Sequence, residues 1–447
     1  MFNRMTKTSI LLEYMLALDI ILGSNSIYAS FSFSKYVTLA LGLLAAGLVF
    51  LRFMIEASGG NRVRINSNSL MALFIFLFVV VFYLFAQNVF WAKNFGQLAN
   101  YLGLFVLFTP ALWLYVGVFG YRGLLDKYVK LMVMIAVVAL LFWGLGSIMG
   151  LFAPTSYFTI GWGGNNQVAS YYGVYFETQF KTIAGHVVVR NSAIWPEAPM
   201  YTMSLMFALL TQLFVLPKRR PVFVTILIIS MASTLTSTAI LILVGLATYY
   251  LWRATNVFSP WYRLVLVLMV LLVVSVPAMF VFSKFMNSKL NGFSGSVRVD
   301  DYITGVKAWI KHPIIGEGFN NNKALYKFMN MNIREYYNNG ELTFNKGVAN
   351  AWTPLIANGG LLFMGTYLVG LGSLFRLGGS WRVLTLFIFA MMFLSIMQYT
   401  TIMMLFIFAV PFALENDSDK ERFVRNRLWD SGPKNFMAKS SREYGRG

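Results

Sequence analysis

Cysteine is absent from the 447-residue chain. That excludes disulfides, thiolate metal centres and cysteine nucleophiles, and it leaves the redox compartment open. Histidine is nearly absent too: His186 and His312 are the only two, too few for a conventional multi-histidine metal site. Charge is scarce. Asp, Glu, Lys and Arg together make up 12% of the residues, about half the share found in soluble domains. No phosphate-cradling or dinucleotide-type glycine pattern follows a strand-like run, so no nucleotide-driven chemistry, cofactor or metal is expected. No internal repeat or low-complexity segment is present.

Apolar residues fill the gap: 58% of the chain is hydrophobic and its mean hydropathy is +0.64. Repeated apolar runs of roughly 18–22 residues predict an all-α polytopic integral membrane protein. Lipid-exposed backbone must satisfy its own hydrogen bonds, and no alternating barrel pattern is seen. About twelve spans are expected, at 8–28, 36–54, 69–87, 98–118, 128–149, 199–216, 221–235, 237–252, 262–283, 352–375, 382–397 and 399–414. The first lacks a clear small-residue cleavage site and reads as a retained span. The apolar character of 221–252 runs too long for one ordinary helix. STLTSTA (233–239) breaks it, which predicts two short, half-inserted helices.

Placing Arg4 and Lys7 in the cytoplasm puts most short basic junctions on the same side, including Arg62, Arg64, Lys218, Arg219 and Arg220, along with the basic tail. Both termini are then cytoplasmic. The expected organisation is five N-terminal spans (1–149), a large outer loop (150–198), central spans (199–283), a second large outer loop (284–351), C-terminal spans (352–414) and a polar tail (415–447). The net charge of +19 suits anionic lipid surfaces and phosphate-bearing substrates, and nucleic acid is not an expected partner.

The second outer loop holds SVRVDDYITGVKAWIKHPIIGEGFNN (296–321). Asp300 and Asp301 fall where a helix is expected to begin and Lys307 and Lys311 near its end, in the order the helix dipole favours. Ile303, Val306 and Ile310 share a face, with Tyr302 and Trp309 beside it, which predicts a helix lying on the membrane surface or capping the bundle. Pro313 stops the helix, and Gly316 and Gly318 permit a tight turn. Arg298, just ahead of the helix, is expected to face an outer cavity.

WIKHPIIGEGFNN (309–321) resembles the signature of the O-antigen ligase/polymerase-like superfamily, the bacterial Wzy-type polymerases and WaaL-type ligases. RNSAIWPEAPMYTMSLMFAL (190–209) resembles the family segment in which an outer-loop arginine precedes an E-P-type motif. SMASTLTSTAILILVGL (230–246) resembles its serine-rich span, without the arginine of that cluster. NAWTPLIANGGLLFMG (350–365) resembles the stretch that closes the second loop. There Ala349 stands where the ligases carry a functional histidine, which favours a polymerase.

The resemblance implies a GT-C-like membrane glycosyltransferase without a cofactor. Its substrates would be glycans linked to undecaprenyl pyrophosphate, joined on the outer face of the bacterial plasma membrane into O-antigen, capsule or exopolysaccharide. Implied partners are membrane lipids, a Wzz-like chain-length co-polymerase and a flippase. Arg190 and Arg298 become the expected diphosphate ligands, since guanidinium groups offer a permanently charged fork to phosphate. Glu197 is the expected base on the acceptor hydroxyl, or orients Arg190. His186, His312, Asn350 and Trp162 are further substrate-contact candidates, as is Lys307, which reads more readily as an interfacial anchor. Trp162 belongs to GWGGNNQ (161–167), which reads as a flexible turn and lid. A ligase of the same fold and a lipid-linked glycan transporter are the alternatives. Transporters more often show repeat symmetry and mid-membrane polar groups.

Overall fold

The computed structural model describes residues 2–58, 67–92, 98, 101–160, 166–183, 186–255, 259–262, 264–265, 269, 293–319, 321–338, 341–394 and 401–414. The expected span at 262–283 lies largely outside these residues, and Trp162 and the tail from 415 onward lie wholly outside them.

Among the described residues five helices are long and apolar enough to cross a membrane: Ser69–Phe90, Arg122–Ile148, Ala198–Val215, Ser237–Ala254 and Trp352–Arg376. Shorter apolar helices run over Leu39–Ile55, Gly103–Phe119, Pro221–Ser233 and Trp381–Phe393. A 22-residue helix such as Ser69–Phe90 is about 33 Å long, close to the roughly 30 Å of a hydrocarbon core. It buries Leu73, Phe76, Val80 and Tyr83 against the bundle and leaves Phe74, Phe78 and Phe82 exposed at helical spacing, a face suited to lipid. Ala198–Val215 is the central helix, buried on nearly every side. It packs against Arg122–Ile148, Pro221–Ser233, Ser237–Ala254 and the helix Gly379–Leu394. Tyr128 meets Phe207 edge to face at 5.2 Å between ring centres.

The long run at 221–252 is interrupted within the threonine cluster. One helix ends at Ser233 and the next begins at Ser237, with Leu235 between them at φ +50°. The hydroxyls make this break possible. Thr236 Oγ1 accepts from Ala239 N at 2.9 Å and caps the second helix. Thr202 on the central helix donates to Thr234 Oγ1 (3.0 Å) and lies 3.1 Å from Thr236 Oγ1. Buried backbone groups freed by the break thus find partners away from water.

Helix accounts for the apolar runs, and the two hydrophilic connections depart from the all-helical expectation. Strands β1 (Ser156–Ile160), β2 (Asn166–Tyr171) and β3 (Tyr175–Glu177) form an antiparallel sheet. β4 (Phe180–Ile183) pairs with β5 (His186–Val189), and β6 (Glu335–Asn338) with β7 (Glu341–Phe344). The requirement that a lipid-bathed segment pair its backbone internally does not hold for chain outside the hydrocarbon region, where β-branched and aromatic runs such as HVVV form hairpins.

The amphipathic helix is present but longer. It spans Phe293–Lys311, so Asp300 and Asp301 sit mid-helix rather than at its start, and Arg298 lies inside it rather than ahead of it. Ile303, Val306 and Ile310 are exposed, while Asp300, Asp301, Thr304 and Ala308 face the protein. The reason is Arg334, whose side chain is fully buried. Its Nε meets Asp300 Oδ2 at 2.6 Å and its Nη2 meets Asp301 Oδ1 at 2.5 Å. Its Nη1 donates to the carbonyls of Asn345 and Gly347 at 3.1 and 3.0 Å. The spare carboxylate oxygens accept from backbone N–H groups: Asp300 Oδ1 from Asn330 at 3.3 Å, and Asp301 Oδ2 from Ala349 at 2.7 Å. Buried charges persist only when paired this fully. Gly305 lets Thr353 close on the same face, and Thr353 Oγ1 donates to Asp301 O at 3.0 Å.

Two glycine motifs interlock beside this helix. Gly316 (φ +70°) and Gly318 (φ +107°) shape the turn after Pro313, and Gly360 (φ +60°) kinks the helix Trp352–Arg376. The kink leaves carbonyls and N–H groups without helical partners, and the turn supplies them. Glu317 N donates to Ala357 O at 2.8 Å and Gly318 N to Asn358 O at 3.1 Å. In return Leu361 N donates to Pro313 O at 2.8 Å and Leu362 N to Ile314 O at 3.1 Å. A Cβ on Gly316 would lie 2.4 Å from Asn358 O. Gly316→Ala therefore combines a left-handed backbone with a backbone clash, and is expected to cost roughly 2–5 kcal/mol. Thermal unfolding of the purified variant measures this; an unchanged midpoint would mean that the turn separates from the kink at no cost.

Candidate functional site

The segment 190–202 packs onto the break between the helices Pro221–Ser233 and Ser237–Ala254. Asn191 Nδ2 donates to Ser233 Oγ at 2.9 Å and Asn191 N to Ser233 O at 3.2 Å. Trp195, wholly buried, donates from Nε1 to Ser24 O at 3.0 Å and stacks on Tyr201 at 5.0 Å. Tyr201 and Ser230 join their hydroxyls at 2.7 Å. Glu197 is the residue that caps the central helix in extended conformation, followed by Pro199 in its first turn. Gln179 Oε1 accepts from Ala198 N at 3.1 Å and so takes one of that helix's open donors.

The β4–β5 hairpin aims the cations. Lys181 opposes Val188, and one step further out Arg190 N donates to Gln179 O at 2.9 Å. Residues two apart on a strand, and residues directly opposite, share a face. Gln179, Lys181, Val188 and Arg190 therefore line one side of the hairpin, with Lys181 and Arg190 diagonal to each other. That side meets the end of Pro221–Ser233: Arg190 Nε donates to Thr234 O at 3.1 Å and Lys181 Nζ to Leu235 O at 3.4 Å. These carbonyls close a helix C-terminus, the negative end of its dipole, where cations are favoured.

Arg298 reaches the same place from the helix Phe293–Lys311. Burial pulls the Arg190 guanidinium down to about 10, with Glu197 opposing the shift and Arg298 adding to it by repulsion. Burial, and then Arg190, also pull the Lys181 ammonium down. Arg190 stays protonated at neutral pH all the same. The fold thus gathers Arg190, Glu197 and Arg298, three residues spanning more than a hundred positions, and adds Lys181. Arg190 is thus electrostatically coupled to Glu197, Arg298 and Lys181. The Arg190 side chain is anchored through Nε on Thr234 O.

His186 and Lys307 stand apart from this centre. His186 is exposed at the turn end of β5, four extended residues and about 13 Å from Arg190. Lys307 is exposed and nine residues, about 13 Å, along the helix from Arg298. His312 Nε2 lies 3.8 Å from Glu317 Oε1, and Lys327 Nζ holds the other oxygen of that buried carboxylate at 2.8 Å. Asn350 is buried at the start of Trp352–Arg376; its Oδ1 accepts from Thr353 N at 2.7 Å. Ala349 has no side chain for acid–base work, and its N–H serves Asp301.

Lys181 and Arg334 were not among the residues expected from sequence. The signal for Lys181 is its two-residue alternation with Gln179 across from Arg190, readable only once the hairpin register is known. Arg334 carries no local signal, because its carboxylate partners lie more than thirty residues away.

Comparison of the chain with curated proteins gave no match. Residues 221–368, however, match the family model described as O-Antigen ligase. They contain the broken helix pair, the Arg298 helix and both interlocked glycine motifs, and the match supports the O-antigen ligase/polymerase-like superfamily for this segment.

Proposed function

We propose that the protein is a polysaccharide polymerase of the bacterial plasma membrane. It would transfer a growing glycan from undecaprenyl pyrophosphate to the next lipid-linked repeat unit on the outer face. The reading includes about twelve spans, cytoplasmic termini and two large outer loops over the active site. The observation that carries it is the convergence of Arg190, Arg298 and Glu197, with electrostatic coupling among them, at the break in the 221–254 helix pair.

In this reading an acceptor hydroxyl oxygen attacks the anomeric carbon of the donor sugar. The bond from that carbon to the diphosphate oxygen breaks, and the electron pair leaves with the lipid diphosphate. Arg190 and Arg298 bind the developing charge through preorganised donors, an effect worth several kcal/mol. Glu197, beside Arg190, takes the hydroxyl proton or holds the guanidinium in place. Release of the diphosphate supplies the driving force, so no nucleotide is consumed.

The ligase is the second reading, favoured by the description of the matching family model. The lack of a base at Ala349 weighs for the polymerase. Gel analysis of the surface glycan from a strain lacking the gene separates the readings. Single repeat units support the polymerase. Full-length polymer left on its lipid carrier would point to the ligase, and loss of all surface glycan to a transporter; either would overturn the proposal. Glu197→Gln, which keeps the shape and removes the charge, is expected to lower turnover about 10²–10⁴-fold if Glu197 is the base. A loss confined to donor affinity would assign it instead to holding Arg190.

A further inference from the structure

The exposed stripe of the helix Phe293–Lys311 takes no part in the reaction proposed above. Val299, Ile303, Val306 and Ile310, with Ile314 in the turn that follows, are 46–66% exposed. Steps of four, three and four residues keep the first four on one side of the helix. The opposite side is committed to the protein: Asp300, Asp301, Thr304 and Ala308 are buried, and Arg334 holds both carboxylates. Among the described residues of this helix, the exposed charges are Lys307 and Lys311. The fold thus hides the acids and turns outward an apolar stripe bordered by cations.

Two observations indicate what covers that stripe. The first is continuity. Tyr302, itself exposed, donates its hydroxyl to Phe393 O at the end of the helix Gly379–Leu394. That apolar helix leaves Leu386, Phe389 and Phe393 exposed, so the two apolar faces join into one surface. The second is depth. Thr353, in the first turn of Trp352–Arg376, closes on Gly305, and Leu362 N of the same helix donates to Ile314 O at 3.1 Å. The stripe therefore follows a membrane-spanning helix inward. A hydrocarbon core of roughly 30 Å, counted back about 20 residues from Arg376, reaches about position 356. Ile314, level with Leu362, then lies inside that boundary. Helices with an apolar side bordered by lysines settle roughly 5–10 Å into the headgroup and acyl boundary and are drawn to anionic lipid.

We propose that the exposed face of Phe293–Lys311 is a membrane-docking surface whose partner is the bilayer itself. Its apolar stripe enters the edge of the acyl region, and Lys307 and Lys311 meet the phosphates of anionic phospholipid. The docking does not depend on which reaction the protein catalyses.

The chain has no cysteine, so single cysteines report depth without background. Ile303→Cys and Ile310→Cys, each carrying a nitroxide, are reconstituted as the full chain in vesicles of phosphatidylcholine and phosphatidylglycerol. Relaxation of the label by oxygen, which concentrates among acyl chains, is compared with relaxation by a water-soluble nickel chelate. Oxygen is expected to dominate several-fold at both positions. The chelate should dominate at Glu335→Cys, an exposed position on the β6–β7 hairpin. Dominance of the chelate at 303 and 310 would put the face in water, and protection from both reagents would put it against protein; either overturns the proposal. Where a nitroxide at 303 disturbs folding, Val306→Cys takes its place. The lysines are tested by comparing the mixed vesicles with pure phosphatidylcholine. Phosphatidylglycerol should move the label at 310 deeper, and Lys307→Gln with Lys311→Gln should abolish that shift. A shift that survives both substitutions, or no shift with the lysines intact, would overturn the choice of anionic lipid.

Discussion

Arg334→Met is expected to remove most of the folded protein from the membrane. The substitution is close in volume, so the effect is electrostatic. Arg334 is fully buried between two buried carboxylates, and taking it away strands both. Breaking a buried ion pair by removing one partner costs about 3–5 kcal/mol, a large part of the 5–15 kcal/mol typical of a whole domain. The helix Phe293–Lys311 would lose its hold on 330–350, and with it the position of Arg298. Protein level by immunoblot and thermal unfolding in detergent measure the effect.

The same variant carries a pH signature. Burial pushes the Asp301 carboxyl up, while the Ala349 N–H and Arg334 pull it back. Without Arg334 only the first of these restraints remains, and the carboxyl rises further. For an acid whose folded-state pKa is raised, the penalty is absent below the unfolded value of about 3.9 and grows as pH rises through the folded one. The variant's deficit should therefore shrink as pH is lowered from 8 towards 5. An equal deficit at both would mean that lost packing, not stranded charge, is responsible. Asp301→Asn in the Arg334→Met background should recover part of the stability at pH 8.

Arg190→Ala is expected to cut polymerisation about 10²–10³-fold, the loss typical when one preorganised charge-stabilising donor is removed, at normal protein levels. Its surface glycan should collapse to single repeat units. Normal long chains from the variant would sink the assignment. Arg298→Ala is the companion and should show the same glycan profile. Arg190→Lys should not rescue. Lysine lacks the Nε–H that engages Thr234 O and the planar fork that meets phosphate on two sides. Its intrinsic pKa is also about two units lower than that of arginine, and the burial and Arg298 repulsion that bring Arg190 to about 10 act on it equally. Donor affinity should thus begin to fall at a lower pH in Arg190→Lys than in the parent, whose guanidinium keeps its charge until pH approaches 10.

The transmembrane helices were legible because hydropathy is additive along a segment: a run such as 69–90 needs no distant partner to be apolar. The break at 234–236 was legible for a related reason, since threonine hydroxyls can serve freed backbone groups locally. The glycine turn after Pro313 could be read from Gly316 and Gly318. Its mate, the kink at Gly360 more than forty residues on, could not.

The helix Phe293–Lys311 shows the limit most plainly. Period 3.6 identified its apolar face correctly, and that face is exposed. An isolated carboxylate pair looks like a solvated surface, and only Arg334, brought in by the 330–350 segment, turns it inward. The sequence by itself determined where the apolar helices form, that the 221–254 run breaks and which residues carry charge, because these depend on neighbours within a few positions. Which charges meet was decided by tertiary structure alone. Arg190 with Arg298 and Lys181, and Arg334 with Asp300 and Asp301, are pairings across loops. Their energy comes from desolvation and Coulomb terms that exist only once the chain has closed around them.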